Sequence, residues 1–216
     1  MTIETRGAQE PHFLIVPGLN DSRPTHWQSH WLGLLRHAHK AELGDWGNPT
    51  RDQWVTRLDA AIRSIDAPVI LIAHSLGCHA VAHWVDTFGK AINSNVFGAL
   101  LVAPPDCDSE DAHPLVRQFG PSAHVQFAFP AILAASRNDE YATLDFSRRV
   151  ARRWHSDFVD TGELGHINAA SGIGHWPAGL ALLGRTIVRA GFGREERAAR
   201  LERAWAPAPE SIRAAA

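Results

Sequence analysis

Ser75 is the residue of this sequence whose surroundings best fit a nucleophile. It follows the continuous apolar run 69–73 (VILIA) and His74, and Ala73 and Gly77 stand two positions to either side of it. A strand that turns directly into a helix needs small residues at those two positions, because the two backbones nearly touch there. The pattern is therefore a nucleophile elbow of the G-x-S-x-G type, with alanine in the first glycine position.

A serine nucleophile needs a general base, and the base needs a carboxylate that orients it. In folds that use this elbow the partners follow the serine in the order Asp or Glu, then His. Asp139 comes a few residues after the apolar run 131–135 (AILAA), and His166 lies in a glycine-containing loop after the run 157–160 (DFVD). We expect both side chains to project from the sheet edge that carries Ser75. The three residues would then catalyse acyl transfer.

Other residues compete for these roles. Asp106 and Asp108 follow another apolar run, at a place where some hydrolases carry the acid. Asp139 is preferred because its strand directly precedes the one that leads to His166. His175 is the main rival base, but it stands nine residues further from the strand end.

Two backbone N–H groups are expected to stabilise the oxyanion of such a reaction. The N–H of Leu76 would lie at the start of the helix after the elbow, where the helix dipole favours negative charge. The second donor should come from the turn 17–20 (PGLN), which leaves the first strand. Gly18 allows a close backbone approach there, so either Leu19 or Asn20 would donate.

Ser75 could instead simply cap a helix, since serine is a common N-cap residue. A zinc pair is also conceivable, because His79 and His83 have i, i+4 spacing. No glutamate stands at the required place between them and no third ligand is evident, so we expect no metal and no cofactor.

Strands and helices alternate along the chain. Apolar runs predict strands, and 3.6-residue spacing predicts helices between them. The predicted strands cover 12–16, 69–73, 97–102, 131–135 and 157–160, and the predicted helices cover 22–40, 50–65, 76–88, 144–154 and 178–189. Ser22 and Pro24 are start signals for the first helix, and Thr50 with Gln53 has capping-box spacing at the second. Continuous apolar strands with helical crossovers predict a mostly parallel sheet covered by helices on both faces, an α/β three-layer sandwich.

Composition sets further limits. A chain of 216 residues suits one domain over 1–216, with a core over about 12–190 and a C-terminal helix and tail over 194–216. The net charge of −2 gives no electrostatic reason to expect nucleic acid or an anionic membrane as a partner. No apolar run is long enough to span a bilayer, and the first twelve residues show no signal-peptide pattern. Two cysteines fit a reducing cytoplasm, which is the location we expect.

Five stretches together resemble a known family, the small serine hydrolases of the α/β-hydrolase superfamily that include retinoblastoma-binding protein 9 and the bacterial YdeN-type proteins. They fall within 13–176 and read IVPGLNDSRPTHWQSHW, LIAHSLGCHAVAHW, ALLVAPPD, AILAASRNDEYA and GELGHINAASGIGHWP. The resemblance implies an α/β-hydrolase fold with Ser75 as nucleophile, Asp139 as acid and His166 as base. Members more often have S-x-x-D-P around the acid, whereas Glu140 follows the aspartate here.

The expected activity is hydrolysis of small-molecule esters through an acyl-enzyme. Amide or peptide hydrolysis would use the same three residues. A non-catalytic partner-binding protein on a hydrolase scaffold is the alternative from a different class, since fold does not fix function and eight tryptophans could build a binding surface. A protein partner is otherwise not indicated by the sequence.

The segment 103–130 is expected to be too short for a large lid, because the parallel crossover needs about a dozen of its residues. The loops 19–25 and 172–176 would then form a shallow rim with aromatic character from Trp27 or Trp176. A shallow site favours small, short-acyl substrates.

Overall fold

Six parallel strands form one central sheet in the order β2-β1-β3-β4-β5-β6. The structure is a computed structural model that describes residues 10–88 and 94–193. The strands are β1 (His12–Val16), β2 (Ala38–Lys40), β3 (Val69–His74), β4 (Val96–Val102), β5 (Ala131–Ala135) and β6 (Asp157–Asp160). The mostly parallel sheet predicted from the apolar runs is therefore confirmed.

Helices cover both faces of this sheet. They are α1 (Trp27–Leu34), α2 (Arg51–Arg63), α3 (Leu76–Phe88), α4 (Pro114–Arg117), α5 (Leu144–Arg153) and α6 (Pro177–Arg189). The core between the sheet and α2, α3 and α5 is separate from the core between the sheet and α1 and α6. Along β3, Leu71 and Ala73 belong to the first core, whereas Ile70 and Ile72 belong to the second. This alternation is the period-2 pattern of a strand buried on both faces.

Strand β3 lies between β1 and β4 and is buried at every residue. Ile72 is level with Ile15 on one side and with Leu100 on the other. The carboxyl ends of the parallel strands therefore meet along one edge of the sheet, which is where open α/β sheets bind ligands. Residues that follow β1, β3, β5 and β6 can share one site at this edge.

The first helix is shorter than the sequence predicted. It begins at Trp27, where the His26 side chain accepts a hydrogen bond from the Gln28 N–H, and not at the predicted signals Ser22 and Pro24. It ends at Leu34, and Ala38–Lys40 forms the edge strand β2 beside β1. The apolar spacing through Ala38 suggested a continuous helix, but pairing with β1 satisfies the backbone of these residues in a way that local pattern does not reveal.

Two further differences concern helix starts and chain ends. Thr50 is the residue before α2 as predicted, but its side chain makes no capping hydrogen bond, so the capping box does not form. The predicted C-terminal helix and tail, 194–216, lies outside the described residues.

The predicted absence of a large lid agrees with the structure, since the four-residue α4 is the one helix within 103–130. Among the described residues, none forms a helix long and apolar enough to cross a membrane.

Candidate active site

Ser75 lies on the sharp turn between β3 and α3. Its φ is +53°, a left-handed conformation that non-glycine residues seldom adopt. The Ser75 N–H donates to the Val102 carbonyl at 2.9 Å, and the Ser75 carbonyl accepts from the Cys78 N–H at 2.9 Å. These two bonds tie the strained residue to β4 on one side and to α3 on the other. Strain held in place in this way is common at functional sites.

Two glycines make the turn sterically feasible. A Cβ at Gly77 would lie 2.5 Å from the Pro17 carbonyl oxygen, and a Cβ at Gly18 would lie 2.7 Å from the Cβ of Ser75. The turn that leaves β1 therefore packs directly against the elbow with backbone-to-backbone contact. Gly77 is one of the two small residues that the sequence pattern required, and the backbone it approaches is that of the turn after β1 rather than that of β3.

Replacing Gly77 by alanine is expected to destabilise the protein by about 1–3 kcal/mol, because the added methyl group meets rigid backbone rather than a movable side chain. The matched control is Gly33→Ala in α1, where an added Cβ has nothing within 4 Å. That exposed helical change should instead stabilise by about 0.5–1 kcal/mol. Urea denaturation of both variants measures the difference. Equal stabilities for the two variants would contradict the close packing at the elbow.

A chain of hydrogen bonds joins Ser75, His166 and Asp139. The Ser75 Oγ lies 2.9 Å from His166 Nε2, and His166 Nδ1 lies 2.9 and 3.0 Å from the two Asp139 carboxylate oxygens. A carboxylate only accepts hydrogen bonds, so Nδ1 carries the ring proton. Nε2 of the neutral ring is then free to accept the Ser75 hydroxyl proton. The arrangement can make the hydroxyl a nucleophile at neutral pH.

The loops that carry His166 and Asp139 are fixed to each other. The Tyr141 N–H donates to Asp139 Oδ1 at 2.9 Å, and the Asn138 side-chain oxygen accepts from the Gly165 N–H at 2.7 Å. The side chains of Asp139 and His166 are almost fully buried. Short bonds within and between the two loops hold the acid and the imidazole at one relative position, as catalysis by oriented groups requires.

His74 holds the backbone of His166 from the other side. Its Nε2–H donates to the His166 carbonyl oxygen at 3.0 Å, and its ring lies 4.7 Å from that of His26. Burial lowers the pKa of His74 well below its ordinary value, and the nearby His166 and His26 lower it further. His74 is therefore uncharged at neutral pH, and its ring can anchor the His166 loop without adding charge beside the base.

The rival acids and the rival base lie elsewhere. Asp106 and Asp108 line a separate cavity with Arg149 and Arg153, and burial raises the pKa of Asp106. The His175 ring packs on His30 with 4.3 Å between ring centroids. None of these three residues contributes to the pocket around Ser75.

The backbone N–H groups predicted as oxyanion donors are not all free. Within residues 10–88 and 94–193, no acceptor contacts the backbone N–H of Leu76 or that of Leu19. The Asn20 N–H, by contrast, donates to the Trp46 carbonyl at 2.8 Å and is not available to a substrate. Of the two donors that the turn 17–20 offered, the free one is Leu19. The sequence could not show this, because Trp46 is distant along the chain.

Ser75 and His166 open into a cavity of about 530 Å³. Its walls come from the loop after β1, the segment 168–170, and His113 and Val116 at α4. The segment 168–170 lines the pocket, whereas the segment 172–176, which was predicted to form part of the rim, does not.

The prediction that Trp27 or Trp176 forms an aromatic rim is wrong, because neither residue lines the pocket. Trp27 is 1% exposed and Trp176 is 3% exposed, and both pack in the core beneath α1 and α6. The Trp27 Nε1–H donates to the Ile167 carbonyl at 2.8 Å. Tyr141 is the aromatic residue at the pocket instead, with 47% exposure and a ring centroid 4.5 Å from that of His166. Its place two residues after Asp139, in a strand-exit loop, is the signal that could have indicated it.

His79 and His83 do not form a metal pair. The Nε2 of His79 lies 2.8 Å from the Pro105 carbonyl oxygen, and the Nε2 of His83 lies 2.7 Å from the Phe119 carbonyl oxygen. One nitrogen of each ring is therefore hydrogen-bonded to the backbone. Nowhere in the described part of the chain do three or more potential ligands come together as a metal site.

Comparison with known families adds an independent observation. The family model described as serine hydrolase matches residues 13–185, which is most of the chain. The chain belongs to the serine hydrolase family. The match covers all of the sheet except His12, and it includes all three residues of the hydrogen-bond chain.

Solved structures agree with this assignment. A YdeN-like hydrolase from Pectobacterium atrosepticum is 32% identical, with a TM-score of 0.71, over 82% of this chain and 90% of its own. The ydeN gene product from B. subtilis is 17% identical, with a TM-score of 0.65, over 83% of this chain and 100% of its own, and at that identity the likeness concerns the fold alone. No curated protein sequence matches this serine hydrolase significantly. The resemblance to YdeN-type proteins is confirmed.

Proposed function

We propose that this serine hydrolase is a carboxylesterase that uses Ser75, His166 and Asp139 as a catalytic triad. The observation that carries the proposal is the unbroken hydrogen-bond chain from Ser75 Oγ through His166 to Asp139. A pure binding module has no physical need for such a chain, and this favours an enzyme over the alternative of a partner-binding scaffold.

The reaction has two halves. Ser75 Oγ attacks the ester carbonyl carbon while His166 Nε2 takes the hydroxyl proton, and the N–H groups of Leu76 and Leu19 stabilise the oxyanion. His166 then gives that proton to the departing alcohol, which leaves an acyl group on Ser75. Water then attacks the acyl carbonyl carbon while His166 takes its proton. His166 returns that proton to Ser75 Oγ as the acyl–oxygen bond breaks, and the acid product leaves. Asp139 keeps the imidazole in the required tautomer and stabilises its cation.

The open pocket supports short-acyl substrates. The apolar and aromatic residues of its wall are Leu19, Pro105, Val116, Tyr141, Ala169 and Ala170, and α4 is too short to cover the opening. A long acyl chain would extend past this open patch into solvent, so its outer methylenes would gain little of the ~0.8 kcal/mol that each fully buried methylene contributes. We therefore propose soluble, small esters rather than lipids as substrates.

The value of kcat/KM for p-nitrophenyl esters should be highest for acetate or butyrate and fall steadily towards palmitate. The reason is that no helix of residues 10–88 or 94–193 covers the pocket, and a mobile lid is what produces activation at a lipid interface. Rates measured across the series, below and above the micelle threshold, test this. A maximum at long chains, or a jump in rate at the threshold, would refute the open-site proposal.

Ester and amide hydrolysis use the same triad, so substrates must separate them. The proposal of an esterase requires measurable release of p-nitrophenol from p-nitrophenyl acetate, and faster turnover of esters than of matched aminoacyl amides. If a panel of both gives higher kcat/KM for the amides, the activity is that of an amidase and the ester assignment fails.

A further inference from the structure

The charged groups around the pocket do not balance one another. Asp21 and Arg23 both line the wall that follows β1. The Asp21 carboxylate is fully engaged, since Lys40 Nζ donates to Oδ2 at 2.8 Å and the Ser22 N–H donates to Oδ1 at 2.7 Å. The Asp21 carboxylate is thus paired with Lys40, which also lies 3.7 Å from the exposed Glu42 outside the pocket, and not with Arg23.

The carboxylate of Asp139, beside His166, also accepts hydrogen bonds from the protein. Asp139 accepts from His166 Nδ1 and from the Tyr141 N–H. Its acceptor sites face protein donors rather than the pocket opening. Neither carboxylate is therefore free to pair with Arg23, and Glu140, the next carboxylate along this loop, lies beside the Tyr141 side chain.

The histidines behind Ser75 carry no charge at neutral pH. Burial and the proximity of His166 lower the pKa of His26 to about 4. The same two causes, with His26 added, hold the pKa of His74 well below its ordinary value. These rings shape the base of the pocket without attracting or repelling an ion.

Arg23 stands apart from these groups. Arg23 is an exposed residue that lines the pocket. In the described part of the chain its side chain has no hydrogen-bond or ion-pair partner. Arg137, at the exit of β5, is by contrast bonded to both oxygens of Asp160 at 3.0 and 3.1 Å. An arginine is always charged at neutral pH and presents a fork of donors that matches a carboxylate.

We infer that Arg23 forms an anion subsite, and that the preferred ester carries a carboxylate a few atoms from the scissile carbonyl. The inference rests on the proposed function, because the carbonyl has to lie at Ser75. Arg23 lines the same cavity as Leu19 and Ser75, so a ligand whose carbonyl is seated at Ser75 can carry a carboxylate to the guanidinium. The substrate class is the half-ester of a dicarboxylic acid, or an ester whose alcohol part bears the acid.

Two pairs of small molecules show whether the carboxylate belongs on the acyl side or on the alcohol side of the ester. Monomethyl succinate carries the carboxylate on the acyl side, and methyl levulinate replaces it with a neutral methyl ketone of the same shape. Acetoxyacetate carries the carboxylate on the alcohol side, and acetoxyacetone is its neutral counterpart. Binding to the full chain with Ser75→Ala is measured by NMR titration, so no turnover is needed. The pair with the larger difference identifies the side.

In the Ser75→Ala protein, one anionic ester should bind about tenfold more tightly than its neutral counterpart, as a charge-assisted hydrogen bond at a partly exposed site allows. Adding Arg23→Gln should bring that ratio of Kd values to about one, and Arg23→Lys should keep part of it. Arg36→Gln is the matched control, because Arg36 is an exposed arginine outside the pocket. That change should leave the ratio as it was.

Three results would overturn the subsite: no anionic advantage in either pair, an advantage that survives Arg23→Gln, or an advantage that Arg36→Gln abolishes equally. The last would mean that the overall charge of the surface is responsible rather than a local contact. If the unmodified chain hydrolyses no ester while Arg23-dependent binding persists, the proposed function fails and the anion subsite stands. If ester hydrolysis persists without an Arg23 effect on binding, only the subsite fails.

Discussion

Replacing Ser75 by alanine is expected to abolish labelling by a fluorophosphonate probe and to lower kcat for p-nitrophenyl acetate on the order of 10⁶-fold, the scale known for serine proteases. The reason is that the Oγ at 2.9 Å from His166 Nε2 is the atom that forms the acyl bond. Alanine removes this atom and leaves the fold intact, because the Ser75 backbone bonds to Val102 and from Cys78 do not involve the side chain. Gel fluorescence of the labelled protein measures the first effect, and initial rates measure the second.

Ser64→Ala is the matched control for this change. Ser64 is exposed at the end of α2, and its hydroxyl donates to the Ala61 carbonyl beside it. The control protein should label and turn over like the unmodified chain. Equal labelling of the Ser75→Ala protein and the unmodified chain would end the proposal that Ser75 is the nucleophile.

His166→Ala should cost nearly as much as the loss of Ser75, since the hydroxyl has no other base within hydrogen-bonding distance among the described residues. Removing the base alone from a triad typically costs as much in kcat as removing the nucleophile. His175→Ala should leave most of the activity, because the His175 ring packs on His30 outside the pocket. The measurement is kcat for p-nitrophenyl acetate in the two variants.

The two histidine variants also separate a catalytic role from a structural one. Thermal unfolding should show both proteins folded, so that a loss confined to His166→Ala reports chemistry. If His175→Ala loses activity and His166→Ala retains it, the assignment of the base is wrong, and with it the expectation that the loop after β6 supplies the base.

Local sequence determined the elbow. The spacing of Ala73, Ser75 and Gly77 is a local pattern that can be recognised from sequence, although the backbone that limits Gly77 belongs to the distant turn after β1. The order of Ser75, Asp139 and His166 along the chain was also informative, because parallel strands bring their exits to one edge regardless of the intervening helices. The serine hydrolase family assignment follows from the same stretches.

Tertiary structure decided what depends on contacts between distant segments. The sequence placed Trp27 and Trp176 at the rim, but the packing of α1 and α6 on the sheet buries both. Helical spacing through Ala38 hid β2, which exists because β1 leaves an edge that it can pair with. Such pairings join residues that are far apart along the chain, so no window of sequence contains them.

The same reason explains the fine structure of the site. Asn20 and Leu19 are equivalent by sequence as oxyanion donors, and a hydrogen bond from Asn20 to Trp46 separates them. Asp21 pairs with Lys40, which is distant along the chain, and the Arg23 side chain has no partner in the described residues. Residue types and order determine the chemistry that this chain can perform, whereas contacts across the sheet edge decide which backbone and side-chain groups are free to meet a substrate.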